Sequence, residues 1–169
     1  MPMANLLEHP LRRLNALPDQ EARMELLGCC GSRRWAARVS AGRPYPDNAA
    51  LLAAADAAWD ASTEADVREA FAAHPRIGEP ERGGARERSE QAASAGADAA
   101  TREALRAGNL EYERRFGHIY LVCASGRGAE ELLEDLRRRL GNDPRTELAV
   151  AAEEQRGITR LRLQRLLAP

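Results

Sequence analysis

Apolar residues along most of this chain recur every three or four positions, the spacing of helices that each turn one face to a core. Asp19 heads "QEARMELLGCC" as a candidate N-cap, and the pattern extends through Trp35 to Val39. "GRPYP", residues 42 to 46, interrupts it as a turn. Asp47 then caps "NAALLAAADAAWD", in which Leu51, Leu52, Ala55 and Trp59 share a face. Thr63 and Asp66 resemble a capping box for "EADVREAFAAH", with Val67 and Phe71 four apart on its apolar side. Pro75 disfavours helical geometry at His74, so the helix is expected to stop there.

Residues 75 to 86 read as a loop, and a short helix from about Glu87 to Ala95 ends at Gly96. Asp98 opens a longer helix through Arg115, with Gly117 as its C-terminal stop. "HIYLVCAS", residues 118 to 125, is either a strand or a buried extended segment. Leu132, Leu133, Leu136 and Leu140 form a helical stripe between Gly128 and Leu140. Asp143 and Pro144 start the last helix as cap and first helical residue, and it runs to about Leu167. The pattern predicts an all-α fold, a single-domain multi-helix bundle over residues 1 to 169 with a short extended segment near 118 to 124.

Composition narrows the function. The 169 residues suffice for one domain with a genuine core. A net charge of -1 gives no field that would draw nucleic acid. No apolar run approaches the roughly 20 residues of a membrane span, and the first residues lack the apolar core of a signal peptide. The last residues, "LAP", are not a peroxisomal signal. Cys29, Cys30 and Cys123 are an odd number without metal spacing, so reduced thiols in a cytoplasmic protein are expected. The chain has no lysine: all 25 Lys+Arg positions are arginine. Schiff-base, pyridoxal-phosphate and P-loop lysines are therefore excluded, and any anion must be met by Arg, His or backbone N–H groups.

Two helices carry polar residues where chemistry is conceivable. On a wheel of about 100° per residue, Arg162 falls about 40° from Ile158, inside the apolar stripe that includes Ala151 and Leu166, with Gln155 beside it. Arg160 falls at about 200°, on the charged face with Arg156 and Glu153. An inward guanidinium must either pair with a carboxylate or bind an anion, unless its stem carries it out to water. Glu87, Glu90, Gln91 and Ser94 share one face of the short helix. A solvated polar face is the ordinary explanation, but this helix directly follows the His74 loop. His74 is either a terminal cation favoured by the helix dipole or a titratable group at a fixed place. Three scattered histidines, His9, His74 and His118, make no metal motif. A Cys–His nucleophile pair is a further arrangement, although Cys29 and Cys123 sit in apolar settings typical of a core.

"AHPRIG" (73 to 78), "SEQAASAG" (89 to 96), "NLEYERRFGHIYLVCASG" (109 to 126), "RLGNDPRTEL" (139 to 148) and "ITRLRL" (158 to 163) occur in this order. In this combination the chain resembles the 2-oxo-4-hydroxy-4-carboxy-5-ureidoimidazoline (OHCU) decarboxylase family, from about residue 40 onward. The resemblance implies an all-helical, often homodimeric enzyme that forms (S)-allantoin in urate degradation without cofactor or metal. Its only expected ligand is the small ureidoimidazoline, with no nucleic acid or membrane partner. His74 then takes the catalytic histidine's position, fixed by Pro75. Glu90 and Gln91 match the acidic and amide residues that hold the substrate, and Arg162 matches the arginine of the final helix. Backbone groups around His118, Ile119, Tyr120 and Leu121 are implied to meet the ring carbonyl and urea. The chain departs from the family pattern twice, with Glu87 at the place of a usual serine and His118 at the place of a common aromatic.

The implied reaction is loss of CO₂ from the imidazoline followed by protonation on one face. The electron pair left behind delocalises into the substrate's own ring, so no external electron sink is needed. Arg162 would stabilise negative charge, and His74, ordinarily titrating near pH 6.5 (about neutral), would move a proton. Two other readings stand beside this one: a divergent member acting on another small ureido acid, favoured by Glu87, and a non-catalytic helical module using its mixed-charge faces.

Overall fold

The computed structural model describes residues 9–77 and 98–169. Among the described residues there are eight helices and no strand: α1 Pro10–Ala16, α2 Asp19–Leu27, α3 Arg33–Ala41, α4 Asn48–Asp60, α5 Glu64–Ala72, α6 Ala99–Phe116, α7 Ala129–Arg139 and α8 Pro144–Leu166. The all-α expectation holds. The short helix predicted over 87 to 95 lies outside the described residues. The chain divides into two compact units, Met1–Ala70 with Arg156–Pro169, and Phe71–Gln155.

In the first unit, Trp35 anchors the packing of α3 on α4. Its ring is fully buried, and the indole Nε1–H donates to the Ala55 carbonyl at 2.9 Å, which satisfies the one polar atom this residue brings into the core. The continuous helix expected from Asp19 to Val39 is instead two. Gly28 ends α2, and Ser32 restarts the chain by accepting from the Trp35 N–H at 3.2 Å. A side-chain oxygen placed to satisfy free helix-terminal N–H groups competes well with continuation through a glycine. Asp19 is the first residue of α2 rather than its cap, and its carboxylate accepts from the Ser40 hydroxyl at 2.7 Å. Arg43 covers the open carbonyls after α1, donating from Nη1 to Leu14 and Leu17 at 2.7 and 2.8 Å.

Other helix starts follow the sequence closely. Asp47 accepts from the Ala50 N–H at 2.8 Å. Thr63 and Asp66 form the reciprocal box, with Thr63 N–H to Asp66 Oδ2 at 2.8 Å and Asp66 N–H to Thr63 Oγ1 at 3.3 Å. The outward face of α8 in this unit pairs with α4, Arg160 Nη2 lying 2.5 Å from Asp56 Oδ2 and Arg156 bonding Asp60.

In the second unit, α6 packs on α7. Leu105, Tyr112 and Phe116 of α6 meet Leu132 and Leu136 of α7, and Tyr120, Val122 and Ala124 complete the cluster. Asp98 caps α6 through the Thr101 N–H at 2.7 Å, and Gly117 ends it at φ 72°, a left-handed conformation that side chains oppose. Residues 118–124 are neither helix nor strand, which settles the open choice in favour of an irregular segment buried at Tyr120, Leu121, Val122 and Ala124.

Candidate active site

The second unit presents His74 at the end of a helix. Ala72 is the last helical residue, and the His74 N–H donates to the Phe71 carbonyl at 3.1 Å before Pro75 turns the chain away. The half-buried imidazole places Nε2 2.7 Å from Oε1 of Gln155, which is fully buried on α8. An amide oxygen only accepts, so Nε2 carries the hydrogen and Nδ1 is the basic nitrogen of the neutral ring. The residues after His74 are tied to α6. Arg76 binds Glu113 through two nitrogens, one pair at 2.9 Å, and Asn109 Nδ2 donates to the Ile77 carbonyl at 2.9 Å. The Arg76 hydrogen bonds hold the Glu113 carboxyl below its usual range.

The segment after Gly117 lies beside the same helix end. The His118 ring packs 5.1 Å from the Phe71 ring and 5.5 Å from that of Tyr112, and stacks on Phe116 at 6.2 Å. Its Nδ1 lies 3.0 Å from the Ile119 carbonyl, an acceptor, and so donates.

Tyr120 and Leu121 are held from beneath by buried charge. Arg139, 2% exposed, donates from Nη1 to the Leu121 carbonyl at 2.8 Å and from Nε to Glu147 Oε1 at 2.7 Å. Glu147 also accepts from the Tyr112 hydroxyl and from Asn142 Nδ2 at 2.8 Å, and Asp135 accepts from the Tyr120 hydroxyl at 2.8 Å. Burial, then the hydrogen bonds to these carboxylates, pushes both phenols well above the ordinary tyrosine range, so they remain neutral donors. Cys123 N–H donates to Glu154 at 2.7 Å.

Arg162 belongs to the first unit. It is 5% exposed among Ile158, Thr159 and Leu163, the inward position given by the wheel, while Arg160 faces Asp56 as expected. Beside it, burial pushes the Cys30 thiol up to about 11, against smaller opposing effects of a Ser32 backbone hydrogen bond, Thr159 and the Arg162 charge. Glu87, Glu90 and Gln91 lie outside the described residues.

The structure therefore brings His74, Pro75 and the 118–121 segment into one neighbourhood and adds residues that sequence reasoning gave no role. Gln155 was readable as a polar residue inside an apolar stripe. Arg139 and Glu147 stand in the quoted "RLGNDPRTEL", but nothing in their spacing showed that they reach back to Leu121 and Tyr112. Among the described residues no group of three His, Cys, Asp or Glu is disposed to hold a metal ion, and no helix is long and apolar enough to cross a membrane.

Known proteins with the same pattern fall in one group. The uric acid degradation bifunctional protein TTL of Arabidopsis thaliana is 37% identical over 147 residues, 83% of this chain and 45% of that protein. The 2-oxo-4-hydroxy-4-carboxy-5-ureidoimidazoline decarboxylase of Amia calva is 42% identical over 59 residues, 35% of this chain and 34% of that protein. The chain thus spans less than half the length of these curated relatives. A crystal structure of OHCU decarboxylase in the presence of (S)-allantoin superposes with a TM-score of 0.77 at 32% identity, covering 90% of this chain and all of that one. An (S)-allantoin synthase structure shares the fold at 21% identity, with a TM-score of 0.70 over 93% of this chain and 54% of its own. Residues 15–164 match the description of OHCU decarboxylase, and the chain belongs to that family.

Proposed function

We propose that this chain decarboxylates 2-oxo-4-hydroxy-4-carboxy-5-ureidoimidazoline to (S)-allantoin as a step of urate degradation, without metal or cofactor. The observation that carries the proposal is the His74–Gln155 hydrogen bond. It commits Nε2 of the imidazole to the protein and so supports a histidine held at a fixed place for proton transfer. The match to an OHCU decarboxylase along that protein's whole length supports the substrate assignment.

In the reaction the bond to the carboxylate breaks, CO₂ leaves, and the bonding pair passes into the substrate's ring system. A proton then adds to one face of the adjacent, ureido-bearing carbon, delivered from protonated His74, while the hydroxyl on the carbon that lost CO₂ gives up its proton to become the ring carbonyl. Arg162, always charged and planar, stabilises the carboxylate and the charge that develops as it leaves. Glu90 and Gln91 are assigned by family resemblance to hold the ureidoimidazoline, with Glu87 beside them and Pro75 fixing the histidine. Backbone groups of His118, Ile119, Tyr120 and Leu121 meet the ring carbonyl and urea. Holding the substrate with its carboxylate out of the ring plane is the main task, because orientation alone lowers such barriers by several kcal/mol (of order 7–11 for ideal alignment). In this reading the chain works as one catalytic domain and as a homodimer in the cytoplasm, with only the small substrate as ligand.

The test is circular dichroism of freshly generated substrate, following optically active allantoin with and without the protein. Rapid (S)-allantoin formation that is lost in His74→Asn, with the melting temperature kept, is the expected result. Formation no faster than spontaneous decay would refute the proposal.

A further inference from the structure

The "RLGNDPRTEL" motif has no role in the reaction described above, yet among the described residues of the second unit it supplies two of the buried charged side chains, Arg139 and Glu147. Residues 118–124 have no strand partner, and Tyr120, Leu121, Val122 and Ala124 are buried, so backbone polar groups of this segment must find partners elsewhere. Charged side chains provide them. Arg139 takes the Leu121 carbonyl at 2.8 Å and Glu154 takes the Cys123 N–H at 2.7 Å, while Asp135 accepts from the side-chain hydroxyl of Tyr120 at 2.8 Å. Arg139 is itself fixed from several sides. Glu147 binds its Nε and Nη2, and its guanidinium lies 4.9 Å over the Tyr120 ring. Asn142 in turn holds the second oxygen of Glu147 at 2.8 Å.

A buried ion pair adds little to stability compared with apolar residues of the same shape. What this one does add is geometry. A planar guanidinium that bonds Glu147 and the Leu121 carbonyl together fixes the plane of the peptide between Leu121 and Val122.

We propose that Arg139, oriented by Glu147 and Asn142, is a positioning residue for the decarboxylation, setting through the Leu121 carbonyl the backbone of residues 118–121 that meets the substrate. This rests on the function proposed above. Lysine at position 139 would keep the charge but could not serve Glu147 and Leu121 with one rigid fork.

The experiment compares the wild-type chain with Arg139→Lys, Glu147→Gln and Tyr120→Phe. Initial rates of (S)-allantoin formation are measured by circular dichroism, together with melting curves and the backbone amide NMR signals of residues 119–123. The expected result for Arg139→Lys is a rise in KM of about tenfold or more, with kcat within about threefold and displaced amide signals for 119–123. Glu147→Gln and Tyr120→Phe should give smaller shifts of KM in the same direction. If Arg139→Lys does not fold, these two milder variants decide the matter. Wild-type KM in every folded variant, or equal losses of kcat and melting temperature without a change in KM, overturns the inference while leaving the proposed function intact. A wild-type chain that forms no (S)-allantoin overturns the proposed function, and this positioning role with it.

Discussion

Gln155 Oε1 lies 2.7 Å from His74 Nε2 although the two residues are 81 positions apart. A neutral amide holds the ring without placing a charge beside it, which leaves the imidazole free to change protonation state during turnover. Gln155→Leu keeps the volume and removes the acceptor. We expect a fall in kcat of about 10–100-fold, the lower part of what general acid–base groups contribute. The cost in folding should be only about 1 kcal/mol, that of one hydrogen bond. Gln155→Glu puts a carboxylate against the imidazole, favours its cationic form, and should move the alkaline limb of the kcat profile, where the protonated donor is lost, to higher pH. Unchanged profiles in both variants would show that the contact does not serve catalysis.

Helices α6 and α7 meet at Gly108 and Leu136. A Cβ at Gly108 would stand 2.6 Å from Leu136 Cδ2 and 3.3 Å from its Cγ. Two effects of Gly108→Ala then oppose each other. Helix propensity gains up to about 1 kcal/mol, whereas overpacking a filled core costs about 1–3 kcal/mol. Leu136 is fully buried and has little room to yield, so the clash should win by about 1 kcal/mol. Repeating the substitution in a Leu136→Ala background removes the clash and should reverse the sign. Urea unfolding of the four proteins checks both statements, and destabilisation of equal size in the two backgrounds would contradict them.

Much of this was legible in the sequence because the signals were local. The Asp47, Thr63–Asp66, Asp98 and Asp143 caps each act within three residues, so composition alone located four helix starts. The wheel separated Arg162 from Arg160 for the same reason, since two residues on one regular helix differ in facing by a fixed angle. Asp19 was misread as a cap because nothing local revealed that Ser40 would take its carboxylate or that Ser32 would restart the chain. Residues 118–124 stayed ambiguous because a buried apolar run fits a strand as well as an irregular segment. Their partners, Arg139 and Glu154, are distant in sequence and lie on helices whose packing no periodicity specifies. Gln155 was visible as a polar residue on an inward face, but its partner was not.

Asp135 makes a prediction at low pH. Burial opposes its charge, but the Tyr120 hydroxyl, Arg139 and Arg138 outweigh that, and the carboxyl lies below its ordinary value of 3.8. A carboxyl with a lowered folded pKa stabilises the protein above its unfolded pKa and loses that contribution as pH falls through the folded value. The contribution of this group should therefore be complete and independent of pH near neutrality and should be lost below about pH 4. Asp135→Asn cannot titrate, so its stability curve should be flatter at acid pH, as urea midpoints measured from about pH 5 downward would show. Parallel curves for the two proteins would exclude Asp135 as a source of acid sensitivity.

Cys30 governs the opposite limb. Burial raises its thiol from 9.0 to about 11, so the folded protein holds the proton over a range where the unfolded chain has released it. A raised folded pKa gives stability that is complete below the unfolded value and is lost as pH rises through the folded one. The shift corresponds to about 2–3 kcal/mol lost between roughly pH 9 and pH 11. Cys30→Ala leaves a small cavity and should start less stable, but its stability should decline less steeply over that range. The comparison is therefore one of slopes, measured by urea unfolding at intervals from pH 8 upward, and equal slopes would refute the assignment. The same burial should make Cys30 slow to react with thiol reagents in the folded state, with the half-buried Cys123 labelled first. For the site, the consequence is that Cys30 stays a neutral thiol at physiological pH. A neutral Cys30 places no negative charge beside the Arg162 guanidinium in the folded protein.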